Sequence, residues 1–536
     1  MKKTLALVLA LIMLFSLCAC GGDTGTTPPD DDSGSGNVTT TPDGGSGDST
    51  SADPNADKYG GVLVTARSVN PTSLFYPYMY ASSQKYCFPA VETLGRMNLD
   101  TFLYEPFLCD SWEEDREAQT LTLKIKQGIK FHDGSDLNAD SVAWNFTFMM
   151  ENGNGGQIGN PTEVTIEDEY TVKLTYGEGM ALTIIEQVAA TPIYSKVAYE
   201  TNGLDWCLNN IVGTGPFVFE EYEPDSYMTF VRNENYWQEG LPYLDGVRHQ
   251  IIPEWSALMS AFVNEDIDWF VCGDMTTMDS LEAMGIENKA LVLPDSGTTF
   301  GIYPNSMIEG DPLYDVEVRK AIMLYGVDWD LVTFAAKGKY GFTSIQGITE
   351  GALGYSAELE NESYYDPDKA MQMLADAGYP NGFSTKIYSA NYGIPAATAL
   401  QAELAKIGIT AEVEQIQTSD GRRYDGTTPG FWINSGYTAV DFGNSLLRQY
   451  SGYGQMNRMM NFSDEYQAVV DKVQNAATEA ESAQYIGEAI RKLSVDECLY
   501  RVMFIQNNVC YLQDDVVDSG LESNNYYTPE IAYIKK

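Results

Sequence analysis

A chain of 536 residues with 76 Asp and Glu against 32 Lys and Arg carries a formal net charge of −44, which excludes a nucleic-acid-binding role, because that needs a basic face. With 44% hydrophobic and 20% charged residues, the composition is that of a globular protein long enough for two or three domains and a substantial core. Its only histidines, His132 and His249, stand in unrelated segments and give histidine-based catalysis little to work with.

The chain opens Met1-Lys2-Lys3, runs apolar from Leu5 to Leu17, and closes Leu17-Cys18-Ala19-Cys20-Gly21-Gly22. A basic start, a short apolar stretch and small residues at its end describe a secretory signal peptide over residues 1–19. The stretch is shorter than the ~20 apolar residues of a membrane-spanning helix. Leu-x-Ala-Cys resembles the bacterial lipobox, which implies a lipid on the Cys20 thiol; the plainer alternative is an ordinary signal peptide in which Cys20 has no role. From Gly21 to about Lys58 the chain holds almost only Gly, Ser, Thr, Asp and Pro, including Asp30-Asp31-Asp32. Such a segment cannot bury enough apolar surface to offset the entropy of ordering. Residues 20–58 therefore read as a lipidated, disordered tether, holding a body off a membrane by roughly 5–6 Å times the square root of its length.

The body reads as mixed α/β. Leu121-Thr-Leu-Lys-Ile-Lys126 alternates as a half-buried strand. Asn138 or Asp140 can cap a helix carrying Val142, Phe146 and Met149, and His132-Asp133-Gly134 between these elements reads as a turn. Asp366-Pro367 to Gly378-Tyr-Pro380 has an Asp N-cap, Pro in the first turn, Gly past the end and Pro beyond. A helix over 397–407 ends at Gly408, a strand follows over 409–416, two helices fill 462–493, and 500–505 is a late strand. No His-Glu-x-x-His, Gly-x-Ser-x-Gly or EF-hand pattern occurs, and Gly338-Lys339 lacks the rest of a phosphate-binding loop. Cys87, Cys109, Cys207, Cys272, Cys498 and Cys510 show no Cys-x-x-Cys spacing. They fit either disulfides, with fifteen pairings for six cysteines, or buried thiols. No metal site, cofactor or catalytic residue is indicated.

At these segments the chain resembles solute-binding family 5, the extracytoplasmic binding proteins that serve peptide, nickel-complex and related ATP-driven (ABC) importers. The similarity runs through Tyr104-Glu-Pro-Phe-Leu-Cys-Asp-Ser-Trp112 with Leu121–Gly134, Gly213-Thr-Gly-Pro-Phe217, Arg232-Asn-Glu-Asn-Tyr-Trp237, Leu241-Pro-Tyr-Leu-Asp245, Asp315–Ile322, the 366–380 helix and Leu404-Ala-Lys-Ile-Gly-Ile409. It implies an α/β fold, a two-lobed periplasmic-binding-protein-like clamshell (type II, with an extra subdomain). Lobe one would comprise a base domain (59–95, 205–298 and 500–536) and a subdomain (96–204), and lobe two 299–499. The implied function is that of a lipid-anchored, monomeric receptor without enzymatic activity. It captures a peptide or similar solute between its lobes and delivers it to membrane permease subunits. A sensor of the same fold, or an exported enzyme acting on glycans or peptides, is the alternative.

For the binding cleft, Tyr76, Tyr78 and Tyr80 would share one face of an extended segment. Gly430–Phe442 falls where the family has Trp-x-x-Asp followed by Asp-Pro, whose first acid anchors the ligand's terminal amine in peptide-binding members. Here Ser435 stands third after Trp432, and Asp441 follows without a proline. The resemblance nominates Trp432, Asn434, Tyr437 and Asp441 as ligand contacts. It shifts the expected solute toward those lacking a free amine, such as sugars or modified peptides.

Overall fold

The structure, a computed structural model, describes residues 55–75, 85–98, 103–177, 184–286, 289–292, 298–417, 420–438, 450–452, 458–476, 478–506, 509–521 and 529–535. All lie in the unit Pro54–Lys536. The expected signal peptide and Cys20, the tether to residue 54, Tyr76, Tyr78, Tyr80 and Asp441 fall outside the described residues.

Strand β1 (Val62–Arg67) is followed by the short pair β2 (Gly95–Met97) and β3 (Tyr104–Pro106). An antiparallel sheet of order β4-β5-β7-β6 comes next, from β4 (Cys109–Asp115), β5 (Thr120–Ile125), β6 (Glu163–Asp168) and β7 (Thr171–Thr175). Strands β8 (Phe217–Glu223), β9 (Tyr227–Arg232), β10 (Gly246–Ile251), β11 (Trp269–Cys272) and β12 (Ala290–Val292) follow. The chain then builds β13 (Thr298–Pro304), β14 (Gly341–Phe342), β15 (Ser384–Ser389), β16 (Thr410–Gln415), β17 (Phe431–Thr438) and β18 (Arg501–Gln506), and returns as β19 (Val509–Leu512). Two mixed sheets result, β12-β19-β11-β1-β10-β9-β8 and β14-β18-β13-β17-β15-β16. β18 is hydrogen-bonded to β13 and β14, so the last passage between sheets follows Gln506 and not residue 499, where lobe two was expected to end.

Local chemistry explains the helices. Asn138 and Ser141 form a reciprocal capping box at the start of Ala139–Glu151, which buries Val142, Phe146 and Met149. Asn138, and not Asp140, is the cap. The Asp366 side chain accepts from the Lys369 amide above Pro367–Asp376, and Gly378 beyond it takes a φ of +96°. The remaining expected elements appear as the helices Ile394–Lys406, Asp464–Gln474 and Glu479–Arg491 and as β16.

One continuous core joins the small sheet to the first large one, running from Leu121, Leu123 and Val172 to Leu63, Phe217 and Phe230. A second core belongs wholly to the other large sheet and its helices. All six body cysteines are buried thiols and none is in a disulfide. Cys272 and Cys510 sit on neighbouring strands, but Cys272 pairs with Val509 and Cys510 with Val271. The two therefore point to opposite faces of the sheet, which no bridge can span.

The most family-like motifs are structural. The turn Gly213-Thr214-Gly215 presses on Ala90, where a Cβ on Gly213 would lie 2.2 Å from a carbonyl oxygen. Thr214 hydroxyl, Tyr236 hydroxyl and Trp237 indole donate to the buried Glu92 carboxylate at 2.8, 2.6 and 3.0 Å. Asn233 donates to the Gly215 carbonyl at 3.0 Å. One carboxylate thus ties two distant motifs to the segment before β2.

Candidate functional site

The polypeptide passes between the large sheets twice, from β12 to β13 and from β18 to β19. β12 pairs with β19 and β13 with β18, so both crossings join strands that are neighbours in their own sheets. Beside them the Tyr340 hydroxyl donates to Asp279 at 3.1 Å and Lys339 pairs with Glu282. Farther along, the Arg116 guanidinium, in the turn after β4, donates to the Ala476 carbonyl.

The end of the second sheet where β13 begins and β18 ends is marked by Thr298, which pairs with both Thr438 and Gln506. Strand β17 therefore runs toward that end, and its burial falls along the way. Phe431, Trp432 and Ile433 are buried, Asn434 is half-buried and Ser435 is exposed. Trp432 is 0% exposed and stacked on Tyr388 at 4.3 Å with planes 19° apart. Among the described residues its indole N–H finds no hydrogen-bond partner. Here the ring belongs to the second core, some 20 Å of strand short of Thr438, and offers no face to a cleft. Asn434 pairs with Gly301 and Ser435 with Phe300, so the two point to opposite faces of the sheet. Tyr437 lies in β17 with its side chain outside the described part.

Facing Ser435 is a cluster that sequence reasoning missed. Phe300 stacks on Phe504 at 4.8 Å and meets Tyr392 edge-on at 5.9 Å. The Tyr392 hydroxyl accepts from the Ser435 amide at 3.4 Å and from Arg423 at 3.3 Å. The Lys337 ammonium sits 5.1 Å from the Phe300 ring centroid. These residues come from six separate segments, and only their place at one sheet end unites them; no local pattern marks it.

Nothing near this cluster resembles an activated nucleophile. His132 is committed to the fold, with its Nε2 on the Gly215 carbonyl at 2.9 Å and burial holding its pKa below the usual value. Asp133 accepts from Ser135 and Ser195 as a turn and cap group. Burial pushes Cys87, Cys109, Cys272 and Cys498 up to about 12, far from the thiolate a nucleophile needs. Among the described residues no group of three or more metal-ligating side chains is found, and no helix is long and apolar enough to cross a membrane.

Comparison with known proteins gives a consistent result. Residues 104–457 match the sequence profile of "Bacterial extracellular solute-binding proteins, family 5 Middle". The glutathione-binding protein GsiB of Escherichia coli K12 is 28% identical over 314 residues, which are 57% of this chain and 60% of GsiB. The substrate-binding protein CtaP of Listeria monocytogenes superposes with a TM-score of 0.74 at 19% identity, over 89% of this chain and 100% of CtaP. DppA of Helicobacter pylori, solved with the peptide STSA, gives 0.68 at 22% identity, over 90% and 99%. At that identity the structures speak for the fold alone, which is the two-lobed periplasmic-binding-protein fold.

Proposed function

Because the chain belongs to the bacterial extracellular solute-binding proteins of family 5, we propose that it is the receptor of an ABC importer. It captures a peptide-like solute between its two lobes and hands it to membrane permease subunits. It works as a monomer outside the cytoplasmic membrane, held there by a lipid on Cys20. The observation that carries this reading is a pair of separately cored sheets whose crossings start and end on neighbouring strands, β12 beside β19 and β13 beside β18, an arrangement in which lobes can close without unfolding either core. The relatives support the solute class by name, glutathione for GsiB and a peptide for DppA. Asn434, Tyr437 and Asp441 are the proposed contacts from β17 and the chain after it, with Tyr76, Tyr78 and Tyr80 opposite. Trp432 supports the strand from inside the core.

The protein binds without turning its ligand over, in keeping with thiols held protonated and a His132 fixed by Gly215. The test is to add peptide mixtures to the purified protein and follow melting temperature and small-angle scattering, then recover the ligand. A rise in melting temperature with a smaller radius of gyration and chemically unchanged ligand supports the reading. Stoichiometric conversion of the ligand, or binding with no permease-dependent uptake in cells, overturns it.

A further inference from the structure

The hairpin between β4 and β5 carries Arg116 at its tip. Its Nε donates to one oxygen of Glu114 at 3.0 Å, and the other oxygen accepts from the Tyr176 hydroxyl at 2.9 Å. The Glu114 side chain is 9% exposed, and Tyr176 is buried in the core that the small sheet shares with the first large one. The Ala118 amide closes the turn on Asp115 at 2.9 Å, and the Tyr176 amide donates to the Gln119 carbonyl at 2.9 Å. The guanidinium is therefore aimed by its own sheet. Its Nη1 donates to the buried carbonyl of Ala476, between the helices Asp464–Gln474 and Glu479–Arg491. The first of these helices sets Val469, Val470 and Val473 in the second core. The bond thus crosses from one core's elements to the other's. Its donor belongs to the small sheet, which holds neither end of the two crossings of the chain. The contacts of Tyr340 with Asp279 and of Lys339 with Glu282 are different, because they adjoin Gly341, which pairs with Gln506 at the end of β18.

We propose that Arg116 is a latch, whose bond to the Ala476 carbonyl forms as the two lobes close on a solute and breaks as they part. The proposal rests on the solute-binding reading above and adds to it the group that holds the closed form. Rotation about the crossings displaces a distant contact more than one beside them, so the Arg116 bond is the more sensitive to opening. One side-chain donor on one carbonyl separates without opening either core. Because Glu114 and Tyr176 keep the guanidinium in place, remaking the bond orders little that was free. A ligand's apparent affinity scales with the fraction of receptor in the competent form. A latch therefore raises affinity for every solute by the same factor and contacts none of them. The competing role is a static tie between parts that do not move, which contributes to stability alone.

The test uses the full-length protein in detergent, with spin labels on Glu163→Cys and Gln484→Cys. These positions are exposed, one on β6 and one on the helix Glu479–Arg491, while the six native body thiols are buried. Pulsed electron paramagnetic resonance reads the distance between labels with and without a tripeptide library. Arg116→Gln should lengthen that distance, Glu114→Gln should do so to a smaller extent, and Arg116→Lys should fall between Arg116→Gln and the unaltered protein. Arg116→Gln should also weaken every tripeptide that binds by one common factor of roughly three to ten, the part of a charge-assisted hydrogen bond that a population shift passes on. Identical distances in the unaltered protein and Arg116→Gln, with and without the library, overturn the latch. So does tighter binding by Arg116→Gln, or a loss that differs from peptide to peptide. A lower melting temperature at unchanged distances also overturns it and leaves the static tie. If the library alters neither the distance nor the melting temperature of the unaltered protein, the peptide-receptor reading has failed, and the ligand-free distances still decide the latch.

Discussion

Trp432 is buried in the core of the second large sheet. Tyr388 stacks on it from β15, Tyr303 is its partner across β17 and β13, and no part of it reaches solvent. Trp432→Ala should therefore cost ~3–5 kcal/mol of stability, the range for emptying a buried aromatic site. Trp432→Phe should cost less, because it fills most of the volume and deletes an indole N–H that is buried without a partner. Chemical denaturation of the three proteins measures both; a loss below ~1 kcal/mol for the alanine variant would show a ring that is not packed. The position of Trp432 in the family motif was legible in the sequence, but its depth was not. A tryptophan on a strand reads the same whether its sheet ends two residues later or six. The residues whose exposure rises beyond Ile433 in β17, Asn434 and Ser435, could be placed only once the register with β13 was known. Lys337 carried no signal at all, since the Phe300 ring that it meets is far from it along the chain.

The elements with chemical punctuation were the legible ones. Pro367–Asp376 and Ala139–Glu151 begin at their Asp366 and Asn138 caps because a side-chain oxygen there satisfies an otherwise orphaned amide. β18 was recognisable as a strand but not assignable to a sheet. All six of its residues are buried, and a strand covered on both faces carries no alternation to say which layers enclose it. The Glu92 hub is a different case, in which distant elements are joined by one carboxylate that no local pattern announces. Burial pushes Glu92 up to about 7, against its hydrogen bonds and Arg96 3.9 Å away. The folded state therefore holds that proton more tightly than the unfolded chain, whose carboxyl titrates in the ordinary range. The stabilisation linked to it is complete below that range and is lost as pH rises through about 7. Asp268, pushed up to about 6 by burial, adds to the same slope. Melting temperature should consequently fall more steeply between about pH 5 and 8 than it would without these two groups, against the opposite slope of His132 and His249, which burial holds below the usual histidine range. Glu92→Gln should flatten most of that decline and leave the share from Asp268. A variant with an unchanged pH profile would show that Glu92 is ionised throughout.

For the whole molecule, the proposed reading gives attachment and capture to separate parts of the chain. Among the described residues no helix is long and apolar enough to cross a membrane, and the proposed attachment is the segment around Cys20. Lipid chains contribute about 0.8 kcal/mol per buried CH₂, and one chain gives marginal, reversible binding where two or more give a stable anchor. On the proposed reading, a diacylglyceryl group on Cys20 would suffice to hold a body of this size. A Gly-, Ser- and Asp-rich composition would allow that body some tens of ångströms of reach. A receptor so tethered would stay concentrated near its permease while its lobes open to the medium. Cys20→Ala should move the protein from the membrane fraction to the soluble fraction without changing its melting temperature or its response to ligand. Fractionation after a high-salt wash reads the first effect and thermal denaturation the second. Quantitative retention of the alanine variant in the washed membranes would place the anchor elsewhere in the chain. Release accompanied by a lower melting temperature would mean that attachment and folding of the body are coupled.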